Sequence, residues 1–227
     1  MSEIFVQVSV WILPVLFAVT FHEAAHGFVA SRLGDDTALR AGRVTFNPLR
    51  HIDTFGTVLL PALLLILSGG RIMFGYAKPV PVNFSRLKNP RRDMILVAAA
   101  GPGVNIAMAI AAAGAIHIST AIPDLFGNWA GYNLYNAVWI NVLLAVFNML
   151  PVPPLDGGRV AVGLLPHRFA VLLARVEPFG FALILGAVFL LPVIGRYVGV
   201  NLDVFHWLVL APAAQLTQLI LSLAGVQ

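Results

Sequence analysis

The stretch IFVQVSVWILPVLFAVTFHEAAH, residues 4–26, decides how the rest of the chain is interpreted. Residues 4–21 contain no Asp, Glu, Lys or Arg, and this length approaches the ~20 residues that a helix needs to cross the hydrocarbon core of a bilayer. The apolar run continues without a break into three polar side chains, His22, Glu23 and His26. Because a charged group at membrane depth costs about 3 kcal/mol when it has no partner, we expect these residues to be functional.

The composition extends this interpretation to the whole chain. Of the 227 residues, 59% are hydrophobic and 11% are charged, and that charged share is about half of what soluble domains carry. We therefore expect an all-α polytopic membrane protein with about five to six transmembrane or re-entrant helices, in a single domain over residues 1–227. Beyond the first helix, the uncharged apolar stretches are residues 94–123, 125–155, 178–195 and 204–227, with a shorter run at 55–70.

Basic residues predict the orientation of these helices. They concentrate in residues 32–50, 71–92 and 159–175, whereas residues 121–131 contain none. Segments rich in Lys and Arg stay on the cytoplasmic side, so the HEAAH end of the first helix should lie toward the cytoplasm. A re-entrant path for residues 55–70 would keep the first two basic segments on one side, and we favour it. The net charge of +4 then needs no nucleic-acid partner, and without a cleavable signal the first helix is expected to be retained.

Residues 41–53 are expected to form a short β-hairpin or strand at the membrane surface. The sequence RVTF at 43–46 alternates in polarity, and Asn47 and Pro48 offer a turn. An edge strand at this place could pair with an unwound substrate by β-augmentation.

The spacing of His22 and His26 predicts a metal site. Residues four apart lie on one face of a helix, so two imidazoles can reach the same ion. The chain has no Cys, so His, Asp, Glu and water are the ligands that remain for zinc. Glu23 flanks the same face, where it could act as the general base for a zinc-activated water.

Asp156 is the candidate for a third protein ligand, since catalytic zinc usually has three. It is the only acidic residue between Asp124 and Glu177, and it follows an apolar helix that the segment PVPP should unwind. Gly157 and Gly158 would allow a close approach of the backbone. An equally good interpretation is that Asp156 is the N-cap of the next helix.

Three motifs together resemble those of the site-2 protease family of intramembrane zinc metalloproteases. They are HEAAH at 22–26, GPGVN at 101–105 and NMLPVPPLDGG at 148–158. The resemblance is to the compact bacterial branch without a PDZ or nucleotide-binding domain. It implies that Asp156 is the third ligand of one catalytic zinc ion, and that Asn105 and Asn148 orient the substrate backbone or stabilise an oxyanion.

The resemblance also implies the partners and the location of the protein. The expected substrates are single-span membrane proteins or signal-peptide remnants, cleaved in the lipid bilayer of the bacterial inner membrane with the active site toward the cytoplasm. Such a substrate has to be extended at the site, because the hydrogen bonds of its own helix shield the peptide bond.

Other interpretations of the polar residues remain open at this stage. Intramembrane His, Glu, Asp and Asn beside Pro-broken helices also suit a transporter or ion pathway, and an inactive relative could bind helices without cutting them. Asn105 and Asn148 could equally form interhelical hydrogen bonds. Gly101 and Gly103 are expected to serve helix packing, and His51 is expected to be structural.

Overall fold

The computed structural model describes residues 2–59, 62–63, 66, 78–122 and 124–226. Within these residues the chain is helical, with short irregular connections and no strand. The helices are α1 Ser2–Leu33, α2 Thr37–Arg40, α3 Pro90–Ser119, α4 Asp124–Asn148, α5 Asp156–Leu164, α6 His167–Ala174, α7 Glu177–Val198 and α8 His206–Leu223. Shorter turns are the 3₁₀ segments Pro48–Arg50 and Phe84–Arg86 and the π-helix Thr54–Leu59.

Five of these helices, α1, α3, α4, α7 and α8, are long and apolar enough to cross a membrane. They coincide with the five long uncharged stretches of the sequence, so this part of the predicted architecture is confirmed. The sixth run, residues 55–70, is described only at 55–59, 62–63 and 66. Its predicted re-entrant path therefore lies outside the described residues.

The centre of the bundle is formed by α1, α3 and α4, which pack against one another. Small side chains allow this close packing: Ala109 and Ala113 of α3 are fully buried against Val138 and Val142 of α4. Helix α8 closes this cluster with Ala213. Small side chains thus bring α3 and α4 close together in the core of the bundle.

The β-hairpin predicted for residues 41–53 is not formed, although the structure describes all of them. Local side chains take the hydrogen bonds that a hairpin would need. Thr45 Oγ1 accepts from the Asn47 N–H at 3.2 Å, and Asn47 Oδ1 accepts from the Leu49 N–H at 3.0 Å. These bonds favour turns over a strand ladder, so the alternating polarity of residues 43–46 was a misleading signal. The proposed pairing of a substrate with this segment loses its structural basis.

An extended segment, residues 78–83, lies against α1 without pairing as a strand. Pro79 and Pro81 have no backbone N–H to donate to a ladder. The carbonyl of Lys78 instead accepts a 2.6 Å hydrogen bond from the guanidinium of Arg43. The backbone N–H of Lys78 also donates to the carbonyl of His51 at 3.0 Å. The segment is therefore held in place by side chains and by this backbone hydrogen bond.

Candidate metal centre

Three potential ligand atoms meet inside the bundle. His22 Nε2 lies 3.1 Å from His26 Nε2 and 3.1 Å from Asp156 Oδ2, and His26 Nε2 lies 3.3 Å from the same oxygen. The three residues are only 7%, 9% and 7% exposed. The structure therefore brings together the three residues that the sequence suggested as ligands.

The size of this triangle fits a zinc ion. Zinc held tetrahedrally by nitrogen and oxygen at about 2.0–2.1 Å separates its ligand atoms by about 3.3 Å. Asp156 Oδ2 is buried and has no hydrogen-bond donor among the described residues. Three lone pairs that point at one another repel unless a cation lies between them, so the donor set suits a metal.

Helix α3 orients both imidazoles. His22 Nδ1 lies 2.6 Å from Asn105 Oδ1, and His26 Nδ1 lies 2.7 Å from the carbonyl of Val97. Both partners are oxygens that accept, so each Nδ1 carries the proton and each Nε2 presents a lone pair. Such partners for the far nitrogen are typical of histidines that bind metals.

Asp156 reaches the histidines because the chain turns back sharply after α4. Gly157 and Gly158 lie so close to this turn that a Cβ on them would be 2.2 Å from the Met149 carbonyl oxygen and 2.3 Å from Pro153 N. Helix α5 begins at Asp156 itself, and its N-cap position is Leu155. The interpretation of Asp156 as an N-cap is therefore wrong.

Gly101 brings α3 directly against the imidazoles. A Cβ at this position would lie 2.5 Å from His26 Nε2 and 2.6 Å from His22 Cε1. Sequence reasoning assigned Gly101 only to helix packing, because nothing local indicates which helix it faces. A Cβ at Gly103, in the same motif, would meet nothing within 4 Å.

Glu23 lies beside this triangle in sequence but has a different partner. Its Oε2 accepts a 2.7 Å hydrogen bond from the backbone N–H of Val80, in the extended segment 78–83. The side chain is half-buried. This bond orients the carboxylate, and it was not foreseen from the sequence.

The two asparagines from the motifs have different surroundings. Asn105 is fully buried and contacts His22, while its Nδ2 donates to the carbonyl of Ala18 and to Asn141 Oδ1. Asn148 Nδ2 donates to the carbonyl of Leu144 in its own helix at 3.0 Å. The interhelical hydrogen bonds that were one of the two interpretations of these residues are formed by Asn105, whereas the described bond of Asn148 lies within its own helix.

Two further buried polar residues, Asn141 and His51, lie outside the ligand triangle. Sequence reasoning missed Asn141, a fully buried amide in an apolar span, although an amide in that setting was a usable signal. His51 is 2% exposed and its Nε2 lies 3.0 Å from the carbonyl of Thr45. It lies outside the group of converging ligand atoms, in line with the structural role expected for it.

Comparison with known proteins decides the family. A sequence model of peptidase family M50 matches residues 10–123 and 113–193. The chain belongs to peptidase family M50. The resemblance of its motifs to the site-2 proteases is thereby confirmed, and the metal triangle is the candidate active site of an M50 peptidase.

Several curated proteins are similar to this M50 peptidase over most of its length. "Putative zinc metalloprotease YwhC" of Bacillus subtilis is 37% identical over 82% of this chain and 82% of its own. "Putative zinc metalloprotease Rip2" is 29% identical in Mycolicibacterium smegmatis, over 84% of this chain and 71% of its own. The Mycobacterium tuberculosis protein of that name is 31% identical over 85% and 70%. No solved structure gives a significant match.

Proposed function

We propose that this M50 peptidase is an intramembrane zinc metalloprotease that hydrolyses peptide bonds within or near transmembrane segments. His22, His26 and Asp156 would hold one zinc ion. The observation that carries the proposal is the triangle of buried ligand atoms, 3.1–3.3 Å apart, within a bundle of apolar helices. The names of the similar bacterial proteins as zinc metalloproteases support the choice of metal.

Glu23 is proposed as the general base. Bound zinc supplies a water of lowered pKa and a positive charge beside the peptide carbonyl. Glu23 takes a proton from the attacking water and later delivers it to the leaving amine. The Val80 N–H holds Oε2, and since a carboxylate can accept several hydrogen bonds, Oε1 remains for the proton.

The depth of the site supports a substrate within the membrane. His22 precedes the end of α1 at Leu33 by eleven residues, or about 16 Å along the helix axis. His22 also lies inside the apolar span Val8–Leu33. The peptide bond that reaches it is therefore proposed to come from a transmembrane helix, which has to unwind before water can attack it. Single-span membrane proteins and signal-peptide remnants are therefore the proposed substrates. Asn148 is proposed to contact the substrate carbonyl or the developing oxyanion.

The proposed location is the inner membrane of a bacterium, with the active site toward the cytoplasm. The backbone N–H of Lys88 donates to the carbonyl of Leu33 at 3.0 Å, so the end of α1 lies beside the start of α3. Basic residues of both 86–92 and 159–175 lie near these helix ends: Arg91 Nε donates to the carbonyl of Gly163 at 2.9 Å, and the Arg159 guanidinium lies 5.2 Å from the centre of the Phe84 ring. Positive charge at this end supports the orientation.

Substitution of Glu23 tests the proposal. Glu23→Gln should keep zinc and abolish cleavage, because the amide leaves the ligand set unchanged but cannot accept the proton of the water. Zinc is measured by elemental analysis of the purified protein, and cleavage by mass spectrometry of membrane protein fragments from cells that produce each variant. That comparison also identifies the substrates.

Glu177→Gln is the matched control, since Glu177 is an exposed glutamate paired with Arg159 at 3.7 Å. It should cleave as the wild type does. Proteolysis that survives in Glu23→Gln would rule out Glu23 as the base.

A further inference from the structure

We propose that Asn141 is a positioning residue for the metal site: it fixes the orientation of the Asn105 amide and thereby the tautomer of His22. The inference rests on the proposed zinc site and adds a residue outside all three motifs. It starts from three side chains that contact one another in turn: Asn141 of α4, Asn105 of α3 and His22 of α1.

The amide of Asn105 has its orientation determined by its neighbours. Its Nδ2 lies 3.1 Å from the carbonyl oxygen of Ala18 and 2.7 Å from Asn141 Oδ1. Both neighbours present oxygens that accept, so the group that faces them is the NH₂. The bond to Asn141 is the shorter of the two, and without it only the 3.1 Å bond to Ala18 would oppose a reversal of the amide. In the reverse orientation Asn105 Oδ1 would face two oxygens, at a place with no exposure to solvent, and two hydrogen bonds would be lost without replacement by water.

Asn141 can provide this acceptor because its own orientation is also determined. Its Nδ2 donates to the carbonyl of Ala137, one turn earlier in α4, at 2.9 Å. The NH₂ group therefore points along α4, and Oδ1 is left to face Asn105. Like Asn105, Asn141 is fully buried.

The orientation of Asn105 then selects the tautomer of His22. With Nδ2 directed toward Ala18 and Asn141, Asn105 Oδ1 faces His22 Nδ1 at 2.6 Å and accepts a hydrogen bond from its N–H. Nε2 is left with the lone pair that a metal ligand needs. A reversed amide would donate to Nδ1 and favour the proton on Nε2, which removes His22 as a ligand.

His26 provides an internal contrast. Its Nδ1 is bound by the backbone carbonyl of Val97, which has only one possible role, so no second residue is needed to orient it. The contacts that begin at Asn141 in α4 therefore affect His22 and not His26.

The test compares two asparagines of α4. Asn141→Leu removes the acceptor. Asn136→Leu is the matched control, because Asn136 is another asparagine of α4 whose Nδ2 donates to a backbone carbonyl, that of Val10 in α1, at 2.8 Å. Zinc affinity is measured in detergent by competition with a chelator. We expect Asn141→Leu to weaken zinc binding about tenfold, the lower range for loss of a residue behind a ligand, and Asn136→Leu to remain within about twofold of wild type.

Cobalt(II) substitution gives a readout that a purely structural role would not change. The d–d bands of the cobalt protein should shift in Asn141→Leu and stay in place in Asn136→Leu, because only the former alters a ligand. Asn141→Ala removes the same oxygen without adding a branched side chain, so it should behave as Asn141→Leu does and serves if the Leu variant fails to fold.

A double variant tests the proposed route. If Asn141 acts through Asn105, then Asn141→Leu should weaken zinc binding no further in an Asn105→Ala background. Equal zinc affinity in wild type and Asn141→Leu, equal losses in the Asn141 and Asn136 variants, or additive losses in the double variant would each overturn the inference. A wild-type protein that binds no zinc would instead refute the proposed function itself.

Discussion

Helices α1 and α7 are both apolar spans, but they are used differently. In the most apolar part of α1, 33% of the residues are buried inside the protein, against 11% in α7. The buried face of α1 includes His22 and His26, which meet partners from α3 and α5. Apolar sequence thus selects the membrane for both helices, whereas polar contacts with neighbouring helices distinguish the one that builds the site.

Of the substitutions that test this contrast, removal of Asp156 should lower zinc affinity the most. Asp156→Ala deletes one of three converging ligand atoms, so zinc affinity should fall more than about 100-fold, beyond the losses typical of residues behind a ligand. Elemental analysis and chelator competition measure it. Asp203→Ala, at the start of α8, is the control and should keep its zinc. Equal zinc occupancy in the Asp156 variant would exclude it from the ligand set.

Gly101 offers a sharper test of the region where α1 and α3 meet. The Cβ of Gly101→Ala would lie 2.5 Å from His26 Nε2, so the imidazole has to move, and we expect zinc affinity to fall about tenfold, as when a ligand loses its support. Gly103→Ala adds the same methyl group where nothing lies within 4 Å. It should bind zinc as the wild type does. Indistinguishable affinities for the two variants would show that the histidines adapt freely.

The smallest loss of zinc affinity is expected for a substitution in α7, where this helix contacts the turn before Asp156. A Cβ at Gly180 would lie 1.7 Å from the carbonyl oxygen of Pro153, so Gly180→Ala should displace this turn and weaken zinc binding by about threefold, less than a change beside the ligands. Gly186→Ala, in the same helix, meets nothing within 4 Å and should have no effect. A loss of zinc in Gly186→Ala would mean that α7 takes a larger part in the site than its exposure indicates.

Much of the fold could be predicted because a bilayer imposes simple rules. A stretch of about 20 uncharged apolar residues has few alternatives to a spanning helix, and the five long stretches became five helices. The hairpin at 41–53 was predicted from the alternation at 43–46 and the turn residues Asn47 and Pro48, and it is wrong. The side chains of Thr45 and Asn47 accept hydrogen bonds from backbone N–H groups that a strand ladder would need. A pattern of polarity carries no information about these local hydrogen bonds.

The sequence by itself determined the membrane class, the pairing of His22 with His26, and Glu23 beside them, because helical spacing is a local property of the chain. It also proposed Asp156, but left open whether this residue was a ligand or a cap. The tertiary structure alone decided that Asp156 meets the histidines, that Asn105 supports His22, and that Gly101 leaves room for both imidazoles. These contacts join residues more than 70 positions apart, and only the packing of α1, α3, α4 and α5 brings them within hydrogen-bonding distance.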